Sequence, residues 1–247
     1  MSLPELEIWQ WALGAFCSLM IGVAKTGAPG LAILTVPLMV FTVGDARYAA
    51  AWTAPILIVG DIFAVVYWRR HADARVLISL VPSVALGMLL GGAALRLDDA
   101  IVRRVLAAIV LMMVALTIAR LRQPASSAPA LPHGHASAYG VAAGFATTLA
   151  NAAGPVMSSY MLLRRMPKEQ LVATGAWFYL AVNIAKMPIY EVNGLLSATS
   201  LTFSLSMAPL VACGAIGGLG LLHRIPQRAF DLLTLGLAAA SAFALFF

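Results

Sequence analysis

The 247-residue chain carries 16 basic and 10 acidic side chains, a net charge of +6, and is 62% hydrophobic with only 11% charged residues. A soluble domain ordinarily has about a quarter charged residues, so this chain lacks the polar surface to cover a water-exposed globule. At about 20 residues per crossing it has room for roughly eight to ten membrane elements and no separate soluble domain, and its basic residues sit in short loops, which excludes a nucleic-acid partner and points to the lipid bilayer.

The N-terminal MSLPELEIWQ has Glu5 and Glu7 and no basic residue before Lys25. That makes a poor cleavable leader, so the first helix is expected to stay in the mature protein. Apolar runs follow at approximately 8–24, 28–43, 47–68, 75–95 and 101–121. The Pro/Ala/Ser-rich stretch RQPASSAPALPHGHAS at 122–137 reads as a cytoplasmic linker. A second series then runs at approximately 138–150, 152–164, 170–190, 198–222 and 227–247. Cys17 and Cys213 both fall inside apolar runs, as packing thiols rather than a disulfide.

The two series, 1–121 and 138–247, read as membrane repeats. A shift of 122 residues superposes Gly22 on Gly144, Ala24 on Ala146, Thr26 on Thr148 and Asp61 on Asn183. Further along, a shift of 127 pairs Pro82 with Pro209, Gly87 with Gly214 and Gly91 with Gly218. If every run crosses, one side collects ten basic against two acidic residues and the other four basic against six acidic. The first side is then cytoplasmic, with both termini periplasmic in a bacterial inner membrane. An odd number of elements per half inverts the second repeat relative to the first. The expected fold is therefore all-α and membrane-integral: two inverted repeats, each a short helical hairpin plus three transmembrane helices. The hairpins turn at Lys25-Thr-Gly-Ala-Pro-Gly30 and Thr147-Thr-Leu-Ala-Asn-Ala-Ala-Gly-Pro155, and the charge count is the same for re-entrant and fully crossing hairpins, since both return to the same side.

Polar groups at bilayer depth are costly unless paired or hydrated, so the few present mark the candidate site: Lys25, Thr26, Asp61, Thr147, Thr148, Asn151, Asn183 and Lys186. Tyr179, Asn183, Lys186 and Tyr190 line one helical face. Pro29 and Pro155 suit the first turn of each returning helix, whose free N–H groups favour an anion. Lys25 and Lys186 add full positive charge, and the hydroxyls and Asn151 can donate hydrogen bonds, so the expected ligand is a small oxyanion such as a sulfonate, sulfite, sulfate or carboxylate. Asp61 is the candidate for proton coupling.

Plainer roles stay open. Lys25 could snorkel to headgroups, Asp61 could be a counter-ion for Lys186 or Lys25, and Asn183 could bridge helices. GMLLGGAAL and GAIGGLGL read as close helix packing. His133 and His135 in the linker are ordinarily incidental, so no metal and no cofactor are expected. No G-x-x-x-x-G-K-[ST] sequence is present, so this chain does not hydrolyse ATP. His71, His133, His135 and His223 lie in loops or at helix ends, which leaves no nucleophile–base pair in a membrane run and argues against an enzyme.

The stretch Gly144 to Tyr190, with T-T-x-A-N-x-x-G-P and then N-x-x-K-x-P, resembles the second-half signature of the sulfite exporter TauE/SafE family, the toluene-sulfonate uptake permeases. GVAKTGAPGLAILTVPLM is similar to that family's Gly-rich start, with Lys25 and Ala28-Pro29 replacing part of the glycine run. The resemblance covers essentially the whole chain. It implies a secondary transporter exporting or exchanging sulfite or an organosulfonate, with Thr148, Asn151, Gly154, Pro155, Asn183 and Lys186 as site candidates. A passive anion channel, an uptake permease for sulfate, thiosulfate or a carboxylate, and a homodimeric assembly remain compatible.

Overall fold

The structure, a computed structural model, describes residues 4–26, 31–121, 136–164, 166–221 and 243. Every element among them is helical: α1 (Ile8–Thr26), α2 (Leu31–Val43), α3 (Ala46–Trp68), α4 (Ala74–Ala94), α5 (Asp99–Leu121), α6 (Ala136–Ala150), α7 (Gly154–Leu163), α8 (Lys168–Ala185), α9 (Met187–Val192) and α10 (Ala198–Leu221). Four of them are long and apolar enough to cross a membrane, and the chain is an all-helical membrane protein. Ala28-Pro29-Gly30, most of the 122–137 linker with His133 and His135, and nearly all of the 227–247 run lie outside the described residues.

The apolar runs return as helices within a few residues, with one correction. The run at 170–190 is divided: α8 ends at Ala185, Lys186 forms the junction, and α9 begins at Met187. Pro188 has no N–H to donate to the carbonyl four residues back, so the helical ladder is interrupted there.

Hydrogen bonds gather the loops at two opposite ends. Asp73 caps α4 by accepting from the Arg75 and Val76 N–H groups at 3.0 and 3.2 Å. The same aspartate ties α4 to α8, because its N–H donates to Thr174 Oγ1 at 2.9 Å and its carboxylate accepts from Gln170 at 3.3 Å. At the other end Asp99 accepts from the Ala46 N–H at 2.8 Å and from Arg103 at 2.6 Å. Beside it Arg47 donates to the Leu97 carbonyl and Arg96 to Asn193, both at 3.3 Å. Asp73 and Gln170 thus meet at one end of α4, and Arg47, Arg96, Asp99 and Arg103 lie at the other.

The hairpins pack against helices of the opposite half. α1 lies along α10, and α6 lies along α4. Both contacts are notched by glycine. A Cβ on Gly22 would overlap the Val211 carbonyl and the Ala215 N–H, and one on Gly144 would overlap the Val84 carbonyl and the Met88 N–H. Reciprocally, Gly214 meets the Leu19 carbonyl and Gly87 the Val141 carbonyl. Each residue of one interface is the partner, shifted by 122 or 127, of a residue in the other. Backbone against backbone leaves no side chain to yield, so Gly22→Ala is expected to destabilise by about 1–3 kcal/mol through overpacking. Gly217→Ala on the same α10 meets nothing within 4 Å and is expected to be neutral or slightly stabilising. Thermal unfolding of the two variants in detergent checks this, and equal loss in both would refute the notch.

Candidate anion-binding site

α3 and α8 pack against each other near the centre, and they bring the polar residues together. Asp61 is fully buried on α3, and Asn183, 2% exposed on α8, donates from Nδ2 to its Oδ2. These two residues are equivalent in the 122-residue shift, so the two halves meet at matched positions. The other Asp61 oxygen takes the ammonium of Lys25, which reaches across from the end of α1. Gly60 makes room for that reach, since a Cβ there would sit 3.0 Å from Lys25 Cγ. Tyr179 lies under the same ammonium, with its ring centroid 4.9 Å away.

The second cluster is one turn further along. Lys186, at the α8–α9 junction, is completely buried. Its ammonium donates to Asn151 Oδ1, and more loosely to the Thr147 carbonyl at 3.3 Å and the Thr147 hydroxyl at 3.5 Å. All three ligands are neutral oxygens, and among the described residues no carboxylate lies within ion-pair distance of it. Asp61 has committed its oxygens to Lys25 and Asn183. Lys25, Lys186 and Asp61 thus place two basic side chains and one acidic side chain together in the protein interior.

Asn151 ends α6 in the left-handed region, with φ 54°, a conformation asparagine tolerates better than most residues. Its Nδ2 donates to the Ala50 carbonyl of α3 at 3.0 Å. Ala50 and Asp61 are eleven residues apart on α3, about 16 Å at 1.5 Å per residue. Lys25 at the end of α1 reaches Asp61, and Asn151 at the end of α6 reaches Ala50, so the two side chains meet α3 at separate points along its length.

The stripe Tyr179, Asn183, Lys186, Tyr190 survives the helix break, and three of its members address the second hairpin. Tyr179 donates to the Gly154 carbonyl at 3.4 Å, Lys186 to Asn151 and Thr147, and Tyr190 to the Thr148 carbonyl at 2.7 Å. Gly154 opens α7, with Pro155 in its first turn. Pro29 is outside the described residues.

Two expected residues are turned away from the cluster. The Thr148 hydroxyl donates to its own helix at Gly144, 2.9 Å, and its side chain fills the notch at Gly91. Thr26 likewise bonds back to Gly22 at 3.3 Å and faces Gly218. Such back-bonding to the carbonyl four residues earlier is the local alternative open to any buried threonine. Sequence reasoning gave Tyr190 a place on the stripe without a role and missed Gly60 altogether. Gly60's signal was available, as the residue before Asp61 on the same helix.

No curated protein and no solved structure is similar enough to this chain to register as a match. The family model described as "Sulfite exporter TauE/SafE" matches residues 13–245. With nearly the whole chain covered, the protein belongs to the sulfite exporter TauE/SafE family.

Proposed function

We propose that the chain is a secondary carrier for a small sulfur oxyanion, sulfite or an organosulfonate, bound at the Lys186 ammonium and moved by alternating access. Membership of the family makes it a membrane transporter of the sulfite or sulfonate type. The single observation that carries the rest is Lys186: an ammonium fully buried among neutral oxygens. Neutral ligands satisfy its hydrogen bonds and leave its charge uncompensated, which costs several kcal/mol in a dry interior. An oxyanion supplies that compensation. Thr147 and Asn151 frame the ligand, Asn183 and Tyr179 link it to Lys25, and Asp61 takes the coupling proton.

The reciprocal glycine notches and the Asp61–Asn183 contact support reading the halves as inverted repeats. The loop charges support an inner-membrane orientation with periplasmic termini. In proteoliposomes, sulfite loaded inside is expected to accelerate uptake of radiolabelled sulfite, and uptake is expected to saturate. Flux that neither saturates nor responds to trans sulfite would make the protein a channel.

A further inference from the structure

We propose that the cleft between α2 and α3 is the anion's route to Lys186, and that Asn151, whose carboxamide oxygen occupies the place of an anion oxygen on that ammonium, is the gate at its inner end. This rests on Lys186 being the anion anchor.

The cleft has a volume of ≈ 20 Å³ and is walled by Met39 of α2, by Ala49, Ala50 and Thr53 of α3, and by Asn151, the wall residue that also touches Lys186. That holds a water or two and no sulfite, so the passage is closed in this structure. Its walls carry no charge, so an anion is passed along them and held only where they end. What they end on is one side chain that bars the way with two bonds. Asn151 Nδ2 fastens to Ala50 on the wall, and Oδ1 fastens to the buried ammonium. Rotating that side chain breaks both bonds and leaves the α6 backbone bonds untouched. The two Thr147 contacts on Lys186 are long, so Asn151 is its principal ligand. Replacing a carboxamide oxygen by an anionic one adds the attraction of opposite full charges to a hydrogen bond the ammonium already donates. An arriving oxyanion therefore displaces Asn151 downhill. α2 and α3 are joined by Gly44, at φ 89°, and Asp45, and Arg103 of α5 donates to the Gly44 carbonyl.

The test uses Ala49→Cys in a Cys17→Ala/Cys213→Ala chain, labelled in spheroplasts with a membrane-impermeant sulfonated maleimide, then washed and assayed for radiolabelled sulfite flux. Labelling is expected, with flux falling at least tenfold. Asp98→Cys, exposed on the loop at the same end, is expected to label with flux unchanged. Thr53→Cys serves as the second wall position should Ala49→Cys fail to fold. Asn151→Asp, which installs a permanent anion on Lys186, is expected to lower sulfite affinity at least a hundredfold. Wall cysteines that stay unlabelled, or that label without loss of flux, overturn the route, and wild-type sulfite affinity in Asn151→Asp overturns the gate. Sulfite binding that survives Lys186→Met would instead sink the anion site itself, so the two failures are told apart.

Discussion

Replacing Lys186 with methionine is expected to abolish sulfite binding while leaving the protein at least as stable as its parent. The two effects have opposite signs because the role proposed for the lysine lies with the ligand and not with the fold. Its ammonium is fully buried with neutral oxygens for company, and an uncompensated charge in that position destabilises the unliganded state. Methionine keeps the length of the chain and removes the charge. What it leaves behind is Asn151 Oδ1 short of a donor, while the Thr147 carbonyl keeps the Asn151 N–H; the cost of about 1–3 kcal/mol for that buried group is offset by the relief of the charge. On the ligand side, losing a buried cation that among the described residues has no carboxylate of its own should cost about 2–5 kcal/mol of affinity. Thermal unfolding reads both quantities together. Sulfite at a hundred times its Kd should stabilise the parent by about 2.7 kcal/mol, and the methionine variant should show no sulfite-dependent shift on an equal or higher baseline. A variant that unfolds outright would make Lys186 a structural bolt for Asn151, and one that keeps its sulfite shift would remove the residue from the site.

How far such a site can be read without coordinates is visible in its individual members. Lys25, Asp61, Asn183, Lys186 and Asn151 stood out because a charge or carboxamide within an apolar run needs a partner, and that need is independent of how the helices are arranged. Threonine carries no such information. Thr147 stands beside Lys186 and Thr148, its neighbour, turns to its own helix, a difference made by one 100° step around α6. The helices themselves were legible from apolar run length, except where Pro188 divides the α8–α9 segment. Which helix lies beside which was not stated by any local pattern. The shifted glycines held that information in a form that became readable only when Gly22 was seen against Val211 and Gly144 against Val84. Small residues mark a close approach and leave its partner unnamed.

Asp61→Asn should separate exchange from proton movement. In the parent, Asp61 neutralises Lys25, and a proton arriving on that carboxylate would release Lys25 to act with Lys186 on an anion. The charged and titratable groups facing Asp61 are Lys25 and Lys186, with the Tyr179 phenol beside Lys25. Falling pH should therefore strengthen binding in the parent. Methanesulfonate is the suitable probe, since it stays singly charged across the range and adds no titration of its own. Asparagine imitates the protonated carboxyl permanently, so the variant should bind methanesulfonate at every pH as the parent does in acid, and should still exchange radiolabelled anion across a liposome membrane. It should fail to shift the pH reported by a trapped dye during net flux. Lys25 is left without its carboxylate, a loss worth about 3–5 kcal/mol for a buried pair, lessened here because its side chain keeps 13% exposure and the Tyr179 ring. Lys25→Met in the same background should recover that stability without restoring proton movement. An Asp61→Asn protein that still carries protons with its anion would place the coupling group elsewhere and return Asp61 to the role of a counter-ion.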